Sequence, residues 1–134
     1  MNIDDVMQEL ATQLDTIDGL NTFAFLPDRL TPPTAFVNYP ETLTFDETYG
    51  RGSDRLDLSV WVVVSRLTDE ASWAELTPYA AGSGAQSVKA ALEAGNYTSC
   101  DYVHVVSAEF DPVEIAGTVY RGASFTLDIM GSGA

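Results

Sequence analysis

The chain of 134 residues is 46% hydrophobic, and 20 acidic against six basic side chains give it a formal net charge of −14. Its length favours one domain, residues 1–134, with a sizeable hydrophobic core. Tight nucleic-acid binding is disfavoured, because an acidic surface repels phosphate instead of releasing its counterions. No apolar run reaches the roughly 18 residues of a membrane span, and the acidic N-terminus is unlike a signal peptide.

An amphipathic helix at about residues 3–17 is the first predicted element. Asn2 is suited to cap its start, and Gly19 is suited to end it. Its apolar stripe consists of Ile3, Val6, Met7, Leu10, Leu14 and Ile17. Two short strands are predicted next, at Thr22–Leu26 and Thr34–Tyr39, with prolines that favour an extended connection between them.

Two long alternating segments dominate the rest of the chain, Asp54–Arg66 and Thr118–Met130, each 13 residues long. In both, apolar residues recur at every second position, which indicates strands with one buried face. The apolar members are Leu56, Leu58, Val60, Val62 and Val64 in the first and Val119, Ala123, Phe125, Leu127 and Ile129 in the second, where Arg121 interrupts them. Because ordinary strands have about 5–6 residues, we expect these two to bend or to project beyond the core.

Between the long strands, the sequence predicts a helix around Ala71–Leu76, a helix at Ala85–Ala94 and a strand at Tyr102–Phe110. The predicted fold is α/β (α+β): a mixed, mostly antiparallel sheet with helices packed on one face and a long projecting β-hairpin or loop. Trp61 and Val63 lie on the opposite face of their strand, where a neighbouring subunit could bury them.

Residues suited to catalysis are few. Cys100 is the only cysteine and His104 the only histidine, whereas a zinc site needs more ligands of these types. We interpret Cys100 as a small buried hydrophobe and His104 as a core or interface residue. Carboxylates are so numerous that a close pair carries no information, and the Gly82–Ser87 segment lacks a phosphate-loop signature. The sequence therefore predicts no enzyme activity, no metal and no cofactor.

The order of segments is more informative than any single motif. A short amphipathic helix precedes Pro33–Val37, a polar loop leads into Arg55–Val62, a helix pair follows, and Tyr120–Ile129 closes the chain. Over nearly its whole length, this layout resembles the tail terminator proteins of long-tailed, lambda-like phages. Members of that family form a hexameric ring that caps the completed tail tube and then joins the head.

The resemblance implies a structural virion protein of the tail neck region, made in the host cytoplasm. Its implied partners are copies of itself, the tail tube protein and a head-side connector or stopper, and genomic DNA passes through without specific binding. No membrane partner is implied. The predicted interface residues are Leu43, Phe45, Tyr49, Arg51, Trp61 and Val63. The predicted channel-lining residues are Glu41, Asp46, Glu47 and Asp54, because an acidic lumen repels DNA.

Two alternatives remain open from the sequence. One is another neck component, such as a head-completion protein or a tail tube subunit. The other, of a different class, is a small cytoplasmic enzyme or a ligand-binding α/β domain. The mass of the protein in solution, alone and with tube protein, would separate these hypotheses.

Overall fold

A computed structural model describes residues 2–25, 33–38, 40–45, 53–66, 70, 72–115 and 117–132. The elements in chain order are α1 (Ile3–Leu14), β1 (Asn21–Phe23), β2 (Thr34–Val37), β3 (Thr42–Thr44), β4 (Ser53–Arg66), α2 (Ser72–Leu76), a 3₁₀ helix (Thr77–Ala80), α3 (Val88–Glu93), β5 (Tyr102–Glu109), β6 (Val113–Ile115) and β7 (Thr118–Ser132). This mixed composition of helices and strands confirms the predicted fold class.

Within the described ranges, the strands form one sheet of seven in the order β1-β2-β4-β7-β5. The short strand β3 pairs with β4 and β6 pairs with β7. The pairing of β1 with β2 is parallel, and the other pairings are antiparallel. The two long strands β4 and β7 run side by side from Ser53 opposite Ser132 to Arg66 opposite Tyr120, so they form the centre of the sheet.

The hydrophobic core lies between the three helices and one face of the sheet. Alternate residues of β4 and β7 point to that face, and they join the helix residues in one buried cluster. Its fully buried members include Val6, Leu10 and Leu14 of α1, Leu76 of α2, Leu92 of α3, Leu56, Val60, Val62 and Val64 of β4, and Ala123, Leu127 and Ile129 of β7. The apolar side chains predicted to share one face therefore do so.

Two helices are shorter than predicted because polar side chains bind the backbone at their ends. The helix α1 stops at Leu14, and the hydroxyl of Thr16 donates to the carbonyl of Gln13 in the turn that follows. The helix α3 begins only at Val88, because the Ser87 hydroxyl accepts from the backbone N–H of Ala90 at 3.1 Å and caps it there. A serine hydroxyl that accepts from a backbone N–H in this way favours a helix start at the next residue.

The structure also differs from the sequence prediction in the short elements. The α2 helix ends at Leu76 as predicted, but a 3₁₀ helix that is not predicted from the sequence follows it and contains Pro78. The strand β6 lies in a segment for which no strand is predicted from the sequence, and it forms a hairpin with β7. Gly117 lies between these two strands with φ of 82°, a conformation that glycine adopts without strain.

Glu9 joins α1 to the segment that precedes β5. Its carboxylate accepts hydrogen bonds from the backbone N–H of Ser99 at 2.7 Å and from the backbone N–H and hydroxyl of Thr98, both at 3.0 Å. Burial by itself raises the pKa of this carboxyl group, but the hydrogen bonds from Ser99 and Thr98 outweigh it and hold the pKa below its usual value. The ionised form of Glu9 is therefore the one that the fold favours.

Glu9→Gln is expected to lower the free energy of unfolding at pH 7 by about 1–2 kcal/mol. Because the folded pKa of Glu9 lies below the usual value of 4.5, the carboxylate stabilises the fold above that pH and loses this effect as the pH falls through the folded pKa. Urea unfolding at pH 7 and at pH 3 should show the difference from the wild type shrinking at the lower pH. The exposed Glu114 carboxylate supplies the control, Glu114→Gln. A pH-independent difference would contradict the assignment.

Candidate functional site

The second face of the sheet, opposite the core, carries a groove of about 360 Å³. Its lining includes Trp61 of β4, Ser124 and Thr126 of β7, and Glu109 at the end of β5. The tryptophan ring is half-buried in this groove. We call this site the Trp61 groove. It exists because β4 presents a large aromatic side chain on the face that the alternation turns away from the core.

Carboxylates surround the Trp61 groove. Glu41 and Asp57 lie on its lining, as Glu109 does, and all three belong to different segments of the chain. Farther along the same face, the Arg55 guanidinium binds Asp128 at 2.7 Å, with Asp57 at 3.7 Å. An aromatic centre with a polar, charged margin is typical of a protein-contact surface.

The structure places the predicted interface residues in different environments. Trp61 lines its groove, and Phe45, just beyond β3, is 69% exposed. Leu43 is partly buried and packs against the hydrophobic core. Tyr49 and Arg51 lie outside the described residues.

Val63 offers no surface to a neighbouring subunit in this structure, in contrast to the expectation. It is fully buried although it shares a strand face with Trp61. Val63 pairs with Gly122 of β7, and side chains of both Val63 and Val113 lie close to that glycine. Packing with β6, a strand that the sequence prediction missed, therefore covers this end of the second face.

The predicted channel-lining residues also differ in their exposure and location. Glu41 is exposed and lines the Trp61 groove. Asp54 is only 5% exposed, because it lies two residues before Leu56 on the core face of β4. Asp46 and Glu47 lie outside the described residues.

Cys100 is buried, as the sequence predicts, and is 6% exposed. Burial, together with the nearby carboxylates of Glu9 and Asp101, raises the pKa of its thiol to about 11 from the usual 9.0. Because the thiolate is the reactive form, a thiol with this pKa is a poor nucleophile near neutral pH. The environment of Cys100 is that of a structural residue.

We expect the Cys100 thiol of the folded protein to react with a disulfide reagent at pH 8 at least about 100-fold more slowly than that of the urea-unfolded chain, since burial depletes the thiolate and blocks access. Spectrophotometric thiol titration measures both rates, and Cys100→Ser gives the background. Comparable rates in the folded and unfolded states would contradict the described burial.

His104 is exposed, not a core residue, because β5 is an outer strand and this side chain alternates with the buried Val103 and Val105. Its Nδ1 lies 3.1 Å from Oε2 of Glu93. The same carboxylate accepts from Nζ of Lys89 at 2.6 Å and from the backbone N–H of Val105 at 3.0 Å.

Glu93 shields the outer edge of β5. Hydrogen bonds from Lys89 and from the Val105 backbone lower the pKa of its carboxyl group, so it stays ionised while it covers an N–H that no described strand pairs with. Natural sheets protect exposed edges with charged groups of this kind. The spacing of Lys89 and Glu93, four residues apart on one helix, is the only sequence signal for this contact.

Two searches for similar proteins give no match: none of the protein-family models fits this chain, and neither does any of the curated proteins. Among the described residues, no group of three or more His, Cys, Asp or Glu side chains could hold a metal ion. The described helices are all too short or too polar to cross a membrane.

Proposed function

We propose that this chain is a structural subunit that assembles with copies of itself into a hexameric ring, which caps a phage tail tube and joins the tail to the head. The observation that carries the proposal is the Trp61 groove on the second face of the sheet, beside an exposed Phe45. The resemblance to tail terminator proteins supports the same assignment.

The chemistry of the second face favours contact with protein. Tryptophan is among the residues most enriched at the centres of interfaces, where a polar margin surrounds it. The Trp61 groove has this composition, with Ser124, Thr126 and three carboxylates around one indole ring. Phe45, 69% exposed, adds an apolar side chain from a different segment. Two such groups allow one copy to offer a groove and the next to fill it.

The lengths of β4 and β7 support a projecting subunit. They have 14 and 15 residues, and at about 3.3 Å per residue each spans roughly 46–50 Å. The strand β3 pairs with β4 from Thr42 opposite Asp57 to Thr44 opposite Arg55, beyond the part of β4 that β2 occupies. This extended platform gives a subunit room to reach its neighbours.

The charge of the chain supports the passage of DNA. A formal net charge of −14 repels phosphate, so a ring of such subunits lets DNA slide without sticking to it. Under this proposal the exposed Glu41, on the margin of the Trp61 groove, lies where the contact between copies meets the channel, whereas the buried Asp54 belongs to neither surface.

The direct test is to mix the purified protein with tail tubes assembled from the tube protein of the same phage and to image the tubes by electron microscopy. The proposal expects a closed ring at one end of each tube, with the sixfold symmetry visible in averaged images. Tubes without added protein are the control. Bare tube ends at saturating protein, or growth of the chain into tubes by itself, would overturn the proposal.

A further inference from the structure

A second exposed apolar surface lies on the helix side of the sheet, away from the Trp61 groove. Trp73 of α2 and Phe110, directly after β5, are 56% and 52% exposed. They line a groove of about 280 Å³ together with Leu76, Thr77, Ala80 and Ala81. We call it the Trp73 groove. Two large aromatic side chains left in water beside one groove mark an interaction surface.

The Trp73 ring is fixed in place although it is exposed. The Arg121 guanidinium carbon lies 3.7 Å from the ring centroid, a cation–π contact. Arg121 also donates a hydrogen bond from its Nε to the Ser72 hydroxyl at 2.5 Å, and Ser72 is fully buried. A side chain that is already ordered loses little entropy when a partner binds. The Trp73 groove is thus preorganised.

The strand β5, at the outer edge of the sheet, adjoins the Trp73 groove. No described strand pairs with the outer edge of β5, and Glu93 covers it only at Val105. Val106, at an irregularity in the pairing of β5 with β7, is 56% exposed. Beyond it, the strand runs to Glu109 and then to Phe110 of the groove. An extended peptide can bind along such an edge and place one side chain in the neighbouring pocket.

The charged side chains near the Trp73 groove are acidic, which favours a basic ligand. Glu75 lies two residues after Trp73, and Asp111 follows Phe110; both are exposed. These carboxylates attract Lys and Arg side chains beside an apolar anchor.

We propose that the Trp73 groove and the adjoining edge of β5 bind an extended, basic segment of a partner protein, with one large apolar side chain held between Trp73 and Phe110. This inference does not depend on ring formation, because the Trp61 groove lies on the other face of the sheet. It identifies a docking site for a different protein.

The test is a titration of the ¹⁵N-labelled protein with a panel of blocked peptides, followed by NMR. Each peptide has the form Lys-Thr-X-Lys-Val-Lys, in which X is Leu, Ile, Phe, Trp or Ser. The indole resonance of Trp73 is identified from the spectrum of Trp73→Phe. We expect the large apolar anchors to produce saturable shifts of that indole and of β5 amides, and the Ser peptide to bind at least about tenfold more weakly.

Two variants make the result specific. Phe110→Ala removes one wall of the groove and should weaken binding at least about tenfold, whereas Phe23→Ala, an exposed aromatic on β1 at the other side of the sheet, should change it by less than about twofold. Replacing the peptide lysines with glutamates should also abolish binding. Well-dispersed spectra of both variants show that they fold.

Three outcomes would overturn the proposal. One is the lack of saturable shifts at Trp73 and β5 with every peptide of the panel. Another is equal binding by Phe110→Ala and the wild type. The third is concentration-dependent self-association that Phe110→Ala removes, which would assign the groove to a second copy of the chain.

Discussion

Gly122→Val is expected to lower the free energy of unfolding by about 2–3 kcal/mol, because it overpacks the centre of the sheet. A Cβ atom at this position would lie 3.0 Å from the carbonyl oxygen of Val62 and 3.0 Å from a methyl group of Val113. The Val62 oxygen belongs to the backbone of β4 and cannot move without disturbing the pairing of β4 with β7. Urea unfolding followed by circular dichroism measures the loss.

Gly82→Val is the matched control, since a Cβ at Gly82 meets nothing within 4 Å. Gly122→Ala, which adds the Cβ alone, should fall between the control and Gly122→Val. If Gly122→Val unfolds at the same urea concentration as the wild type, then the described contact of β6 with the centre of the sheet is wrong. That result would also remove the explanation for the burial of Val63.

The long strands were predictable because one physical pattern determines them. The alternation predicts Asp54–Arg66 and Thr118–Met130, and the structure has β4 at Ser53–Arg66 and β7 at Thr118–Ser132. Each strand packs one face against helices, so burial imposes a period of two over its whole length. The strand β6 has only three residues, too few for any alternation to emerge, and its pairing depends on a turn.

The candidate surface was predictable only in part, because alternation gives the face of a residue but not what covers that face. Trp61 and Val63 share a face, yet only the first borders an open groove, since packing beside Gly122 and Val113 covers the second.

The Trp73 groove could not be predicted from the sequence, for a related reason. Trp73 and Phe110 are far apart in the chain, and no periodic pattern links them. They meet because α2 contacts β4 and β7 and the neighbouring β5 ends beside it. Arg121 interrupts the apolar face of its strand, and its role becomes clear only when Ser72 and Trp73 are placed beside it.

Trp61→Ser is expected to abolish capping of tail tubes while the subunit still folds. If the Trp61 groove is the contact between copies, removal of its aromatic centre costs about 2 kcal/mol or more at an interface. That cost recurs at every contact around a closed ring, so the fraction of capped tubes should fall at least about 30-fold. The count of capped ends in electron micrographs is the measurement, and a melting curve shows that the variant folds.

Two further variants separate a contact role of Trp61 from a structural one. Trp61→Phe keeps an aromatic ring in the groove and should retain most of the capping that Trp61→Ser loses. Val119→Ser removes an exposed apolar side chain of β7 from the face opposite to that of Ser124, and should cap tubes as the wild type does. Normal capping by a folded Trp61→Ser variant would exclude the second face as the ring contact. The exposed Phe45 would then be the remaining described candidate, because Leu43 packs into the core and Val63 is buried.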